Sequence, residues 1–425
     1  MTLAQTDWFT AARFGLFVHF GLYSVAARHE WVMTREQIPL NEYERYAQVF
    51  DPDRFDARAI ARAARSAGMG YAVLTTKHHD GFALWNSGVS DYTSMQACGR
   101  DLVAEFAEAC RAEGLRVGFY HSVIDWHHPD FTIDCHHPRR EDGDLTELNS
   151  GRDMARYREY LHAQVRELLT GYGPVDYLFY DFTYPDGMNG LPGKGAQDWD
   201  AEALLALTRE LQPGIIVNDR LGIGGDLVTP EQYQPDGPMT SGGVPVLWEA
   251  CQTMNGSWGY DRDNLEFKSA DLLVRMLVDS VAKGGNLLLN VGPDGRGALT
   301  PQDSATLAEI GTWMDLHAQS VIGAGPSEVP PPPGTALTRR DDRLYLHLLT
   351  WAFGHVHLPG LAGKVRFARF LHDGSEVART EFDPGQQAWN TTPGGQPPGT
   401  LTLQLPTIRP DVLHPVIEII LDGEN

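Results

Sequence analysis

The chain has little cysteine, and what it has shows no pattern. Cys98, Cys110, Cys135 and Cys251 stand far apart in 425 residues, with no CxxC among them. That excludes a disulfide scaffold and a cysteine-rich zinc module. Free thiols in a reducing compartment, the cytoplasm, are expected. Cations are scarce as well: 34 Lys and Arg against 56 Asp and Glu leave a formal net charge of -22. Nucleic acids and anionic membranes need clustered Lys and Arg, so neither is an expected partner. No apolar run approaches the roughly 18 residues a membrane helix needs. Residues 1–10 carry no basic n-region and no long apolar core, so no signal peptide is expected. Also missing are GxGxxG after the first strand, GxSxG and HExxH, the signatures of dinucleotide-binding, serine-hydrolase and zincin chemistry. There is no internal repeat.

What is present is ordinary globular material, 42% hydrophobic and 21% charged, in which short apolar runs alternate with helical stretches. Strands are expected at 13–20, 71–76, 115–120, 175–180, 214–217, 245–247 and 286–291. The intervening stretches 54–67, 101–113, 154–169, 201–211 and 272–283 read as helices. Alternating strands and helices imply βαβ units and a parallel sheet. Seven strands suit a (β/α)₈ barrel with one strand unread, while an open doubly wound sheet stays possible. Four consecutive prolines in PSEVPPPPG (326–334) mark a stiff connector. The expected organisation is a barrel over 1–325, a linker over 326–336 and a small all-β sandwich over 337–425. Trp351 and Trp389 in the second domain could be core or contact.

Nearly every expected barrel strand ends in ionisable or aromatic polar residues. These are His19, His78-His79, Tyr120-His121, Asp181, Asp219-Arg220 and Trp248-Glu249. In a barrel such tips converge on the one face where chemistry is done. Asp181 is central: it follows the apolar run Tyr177–Tyr180 and precedes a Pro-Asp-Gly turn, although an Asp there could also cap a following helix. Histidines, an arginine, aromatics and carboxylates together suit a sugar, which offers hydroxyls and an apolar face. Glycoside hydrolysis uses two carboxylates, and Asp181, Glu231 and Glu249 are the candidates by position. A metal is the competing use of the histidines. Adjacent His78 and His79 should point to opposite sides of an extended backbone, however, and His127-His128 and His136-His137 lie in a polar loop that they could simply brace. No metal and no cofactor is expected.

At these residues the chain resembles the α-L-fucosidases of glycoside hydrolase family 29. The segments that carry it are FGLFVHFGLYS (14–24), Glu30-Trp31, TTKHHDGFALW (75–85), GFYHS (118–122), LFYDF (178–182), NDR (218–220), WEACQTMNGSWGY (248–260) and KGGNLLLNVGPDGRG (283–297). They occur in the family's order across almost the whole first domain. The resemblance implies a (β/α)₈-like barrel followed by a β-sandwich, and a retaining, exo-acting mechanism through a covalent fucosyl-enzyme. Asp181 matches the nucleophile. His19, Glu30, Trp31, His78, His79 and Arg220 match sugar-binding positions. Tyr120-His121 stands where the family reads Tyr-Tyr, Tyr120 being preferred, and Phe179 where Trp is common. Trp258 would wall the C6 methyl group. Glu231 is the first choice for acid/base, with Glu249 as runner-up. The expected partner is a small fucosylated glycan, and a homo-oligomer is left open. Alternatives are another retaining barrel glycosidase, such as an α-galactosidase, or a non-catalytic sugar-binding protein.

Overall fold

The computed structural model describes residues 6–381 and 396–422. Eight parallel strands form one sheet: β1 (Phe14–Val18), β2 (Tyr71–Lys77), β3 (Arg116–Ser122), β4 (Tyr177–Asp181), β5 (Ile216–Val217), β6 (Leu227–Val228), β7 (Leu247–Thr253) and β8 (Asn286–Val291). Their order, β5-β4-β3-β2-β1-β8-β7-β6, bends round because β1 pairs with both β2 and β8. One parallel bridge, Asn218 to Leu227, closes the ring. Lying between a filled interior and a helical coat, β1, β2 and β8 are buried at every position, as parallel strands in α/β folds are. Side chains of Asp56, Asp101, Asp153, Ser269 and Thr300 cap five of the coat helices by accepting a first-turn N–H.

The eighth strand, unread in the sequence, is β6. Two residues are too few to show a period, and Gly222, Gly224 and Gly225 precede it. Gly225 is required by the closure itself, since a Cβ there would stand 2.1 Å from the Asn218 carbonyl oxygen. Asp226 completes the seam. Its backbone N–H donates to the Val217 carbonyl at 2.7 Å, and its carboxylate accepts from Val217 N–H at 2.8 Å and pairs with Arg209.

One sequence expectation is corrected here. Glu249 is not at the strand tip that the sequence suggests; it is the third residue of β7, level with Asn286 at the start of β8. It therefore lies at the amino-terminal end of the barrel interior, fully buried, where Tyr71 and Tyr177 at the starts of β2 and β4 donate hydroxyl hydrogen bonds to it. Burial pushes its carboxyl up to about 8.

The second domain packs two antiparallel sheets. One orders Gly325–Pro326, Thr335–Arg340, Arg343–Leu348, Val416–Leu421 and Val365–Phe370; the other orders His355–Leu358, Leu401–Gln404 and Arg379–Glu381. Leu344, Leu346, Val356, Leu403, Ile417 and Ile419 fill the space between them, giving the expected sandwich. Trp351 packs partly against that core, and Trp389 lies outside the described residues. The sandwich is tied to the barrel's helical coat through Thr338 Oγ1 donating to the Ser320 carbonyl at 2.7 Å and Trp313 Nε1 donating to the His414 carbonyl at 3.4 Å.

A testable consequence concerns Glu249. An acid whose folded pKa is near 8, against an ordinary 4.5, binds a proton in the folded chain that the unfolded chain has released. Stability should therefore fall as pH rises between those values. Glu249→Gln, a neutral isostere, should flatten that part of the decline in urea unfolding between pH 5 and 8. An unchanged decline in the variant would show that another group is responsible.

Candidate active site

At the carboxyl end of the barrel a cavity opens among strand tips and the loops that follow them. Ten sequence-singled residues line it: His19, Trp31, His78, His79, Tyr120, Phe179, Asp181, Arg220, Glu231 and Trp258. Phe17, Phe182 and Cys251 line it too and were not foreseen. Two of these were readable. Phe17 stands two residues before His19, and residues two apart on a strand share a face; Cys251 follows Glu249 by the same interval into the barrel. Phe182 had no such signal. It adopts φ +86°, uncommon for a bulky side chain, a conformation that costs about 1–3 kcal/mol and must be held by its surroundings. Ring contacts with Trp31, His79, His136 and Tyr184, at centroid distances of 4.7 to 5.0 Å, hold it.

Three expected residues fall elsewhere. Glu249 is at the other end of the barrel. His121, expected beside Tyr120, is turned to the opposite side of β3 because successive strand residues alternate. Its Nδ1 meets Thr76 Oγ1 at 3.0 Å, its ring abuts Trp85, and it is fully buried. Glu30 is also buried and is not among the lining residues; it accepts from Gly259 N–H at 2.8 Å and so fixes the segment that carries Trp258. His78 and His79 reverse another expectation. They lie past the end of β2, where the chain is turning, so both rings face the cavity with centroids 4.0 Å apart.

The polar centre joins Asp181, Arg220 and Glu231, with Tyr120 and Trp258 at its two ends. Asp181 Oδ2 accepts from the Tyr120 hydroxyl at 2.8 Å, and Oδ1 accepts from Arg220 Nη1 at 2.9 Å. The same Nη1 lies 2.7 Å from Glu231 Oε2. Oxygens sharing one nitrogen at 2.9 and 2.7 Å can be no farther apart than the sum of the two distances, about 5.6 Å. Glu231 Oε1 accepts from Trp258 Nε1 at 3.1 Å. Arg220 is oriented from behind, where Nε donates to Thr229 Oγ1 at 2.9 Å and the guanidinium stands 5.1 Å from the Phe179 ring centroid. Asp181 caps no helix, since the next one begins at Ala196. Burial raises its carboxyl above the ordinary 3.8; Arg220 opposes the rise, and the Glu231 charge adds to it. Burial also keeps the imidazoles neutral, His19 down at about 3 and His78 and His79 well below their usual range.

Two buried ion pairs set the loops around the cavity. Lys77 Nζ meets Asp125 Oδ2 at 3.4 Å, and Asp125 Oδ1 accepts the backbone N–H groups of His127 and His128. Lys194 Nζ meets Asp134 Oδ2 at 2.6 Å, joining the loop after β3 to the loop after β4. The four loop histidines brace this structure: His127 stacks on Tyr92, His128 packs on Tyr160, His137 lies near Phe131, and His136 supports Trp31 and Phe182.

The chain as a whole is similar to several known proteins. An α-L-fucosidase isoenzyme 1 from Paenibacillus thiaminolyticus superimposes with a TM-score of 0.90 at 41% identity, over 99% of both chains. A family 29 α-L-fucosidase from Bacteroides thetaiotaomicron, solved as a trapped covalent intermediate with 2-fluoro-fucosyl fluoride, gives 0.85 at 25% identity, over 100% of this chain and 97% of that one. The tissue α-L-fucosidase of Mus musculus is 30% identical over 354 residues, 76% of this chain and 72% of its own length. The family model for α-L-fucosidase matches residues 2–319, which take in the whole barrel and every residue of the cavity, and the chain belongs to that family.

Proposed function

We propose that this chain is a retaining, exo-acting α-L-fucosidase that removes terminal α-L-fucosyl residues from glycans, with Asp181 as nucleophile and Glu231 as acid/base. The observation that carries the reading is the shared Arg220 nitrogen. Carboxyls of retaining glycosidases stand ~5–5.5 Å apart, whereas inversion needs ~6.5–9.5 Å to admit a water. A cap of about 5.6 Å on Asp181 Oδ1 to Glu231 Oε2 favours retention. Exo action is supported by the floor, where Phe17, Phe179 and Cys251 are buried members of the apolar cluster that fills the barrel interior.

In the first step Asp181, kept ionised by Arg220 and Tyr120, attacks the anomeric carbon. Glu231, at the cavity mouth with a side chain 40% exposed, delivers a proton to the departing oxygen. Esterification removes the Asp181 charge, and Arg220 is then paired with the Glu231 carboxylate alone. That carboxylate takes a proton from water, which attacks the same carbon and releases fucose with its configuration kept. The neutral imidazoles and Trp31 hold the sugar hydroxyls. Phe17 and Trp258, whose rings are 5.9 Å apart, offer an apolar wall suited to a C6 methyl group and poorly suited to the C6 hydroxyl of a galactoside. Four free thiols, Cys98, Cys110, Cys135 and Cys251, support a reducing compartment such as the cytoplasm for the protein.

Hydrolysis of 4-nitrophenyl α-L-fucoside should fall at least ~10³-fold in Asp181→Asn, with the α-D-galactoside as control. Better turnover of the galactoside would select the rival sugar. Glu231→Ala should lose roughly 10²–10⁴ on glycan substrates and much less on the aryl fucoside, whose leaving group barely needs a proton. Azide should then yield α-fucosyl azide with Glu231→Ala and β-fucosyl azide with Asp181→Gly; exchanged anomers would refute the roles given. The acid limb of kcat/KM should lie above pH 3.8, because burial raises Asp181. Arg220→Gln removes the opposing cation, so it should move that limb to still higher pH in the residual activity. A limb that stayed put or moved down would show that Asp181 does not control it.

A further inference from the structure

An imidazole lining a sugar cavity can accept a hydroxyl proton or donate one, and its tautomer decides which. Two hydrogen-bond chains fix that choice here. His19 Nδ1 lies 2.6 Å from Asn290 Oδ1, while Asn290 Nδ2 donates to the Trp258 carbonyl at 2.7 Å. A carbonyl can only accept, so the nitrogen end of the Asn290 amide faces Trp258 and its oxygen end faces His19. An amide oxygen cannot donate. Nδ1 of His19 therefore carries the proton.

The second chain reaches the same result with different groups. His79 Nδ1 lies 2.7 Å from Ser122 Oγ. Ser122 has one hydroxyl proton; given to the Ile124 carbonyl at 2.8 Å, which can only accept, it satisfies both contacts of Oγ, whereas given to His79 it would leave that buried carbonyl without this partner. Its oxygen must then accept from His79, which again places the proton on Nδ1. Burial holds both rings neutral, so each has one lone pair, at Nε2. Asn290 and Ser122 are both buried and belong to strands on different sides of the cavity, β8 and β3.

We propose that Asn290 and Ser122 are positioning residues that lock His19 and His79 in the Nδ1–H form, so that the cavity offers two Nε2 acceptors to two donating hydroxyls of the bound sugar. This rests on the reading of the cavity as a glycoside site and adds a direction to its hydrogen bonds. A glycon whose matching hydroxyls are replaced by fluorine or methoxy, which accept but cannot donate, loses both contacts. Asn290 has a further reach: the carbonyl it holds belongs to Trp258, whose indole N–H contacts Glu231. One amide thus links sugar recognition to the acid/base.

The test is long-range ¹H–¹⁵N spectroscopy on the full chain labelled at histidine, with the signals assigned by His19→Gln and His79→Gln. The wild type should show the Nδ1–H pattern for both rings. Asn290→Leu should shift His19, and Ser122→Ala should shift His79, towards the Nε2–H form. Each variant should raise KM for the aryl fucoside about tenfold, with kcat changing less. An Nε2–H pattern at either ring in the wild type overturns the proposal, as do unchanged tautomers in the variants. The two variants probe separate strands, so misfolding of one leaves the other to decide. The spectra need no substrate. Absent turnover beside Nδ1–H rings would therefore count against the fucosidase reading and leave the tautomers as stated.

Discussion

A single guanidinium nitrogen holds together two carboxylates that would otherwise repel each other. Arg220 Nη1 lies within hydrogen-bond distance of both Asp181 and Glu231, and their close spacing depends on its charge. At 4 Å two like charges repel by about 4 kcal/mol at an effective dielectric of 20, and a cation between them turns that repulsion into attraction. The arginine is in turn fixed by Thr229 and by the Phe179 face. The separation of the two acids is therefore set by strands β4, β5 and β6 together, through one planar group whose fork geometry a lysine could not reproduce.

Around this centre the loops are held by ion pairs buried far from water. Lys77 with Asp125 and Lys194 with Asp134 are nearly inaccessible. Such pairs repay little of their desolvation cost, but removing one partner leaves a lone buried charge at a cost of about 3–5 kcal/mol. Their effect here is positional. Asp125 folds the start of the long loop after β3 back under His79, and Asp134 clamps it to the loop that carries Phe182. The aromatic entrance of Trp31, Phe182 and His136 stands on that clamp.

The sequence was legible where physical signals repeat. Long buried strands showed as apolar runs, and their tips showed as polar groups, so the barrel and ten of the thirteen lining residues could be named. It was illegible where a signal lasts only one or two residues. The two-residue β6 has no period, and its glycines resemble a loop. β7 begins at Leu247 rather than ending there, and the misreading moved Glu249 from the bottom of the barrel to the top. His78 and His79 were read with strand alternation although the strand stops at Lys77, whereas alternation does apply at Tyr120 and His121 and sends His121 outward. Phe182 depends on a positive φ that no side-chain pattern announces.

The weakly joined seam between β5 and β6 has a mechanical consequence. Every other junction of the ring is a ladder, but this one rests on a single backbone bridge reinforced by Asp226. Arg220 leaves the sheet just beyond one side of the seam, and Glu231 just beyond the other. Glu231 itself is bridged to Cys251 of β7, where Cys251 N–H donates to the Pro230 carbonyl and Gln232 N–H donates to the Cys251 carbonyl, each at 2.9 Å. The nucleophile sits in a continuous ladder on β4. The two acids are therefore carried by opposite flanks of the seam, and Arg220 spans it to reach both.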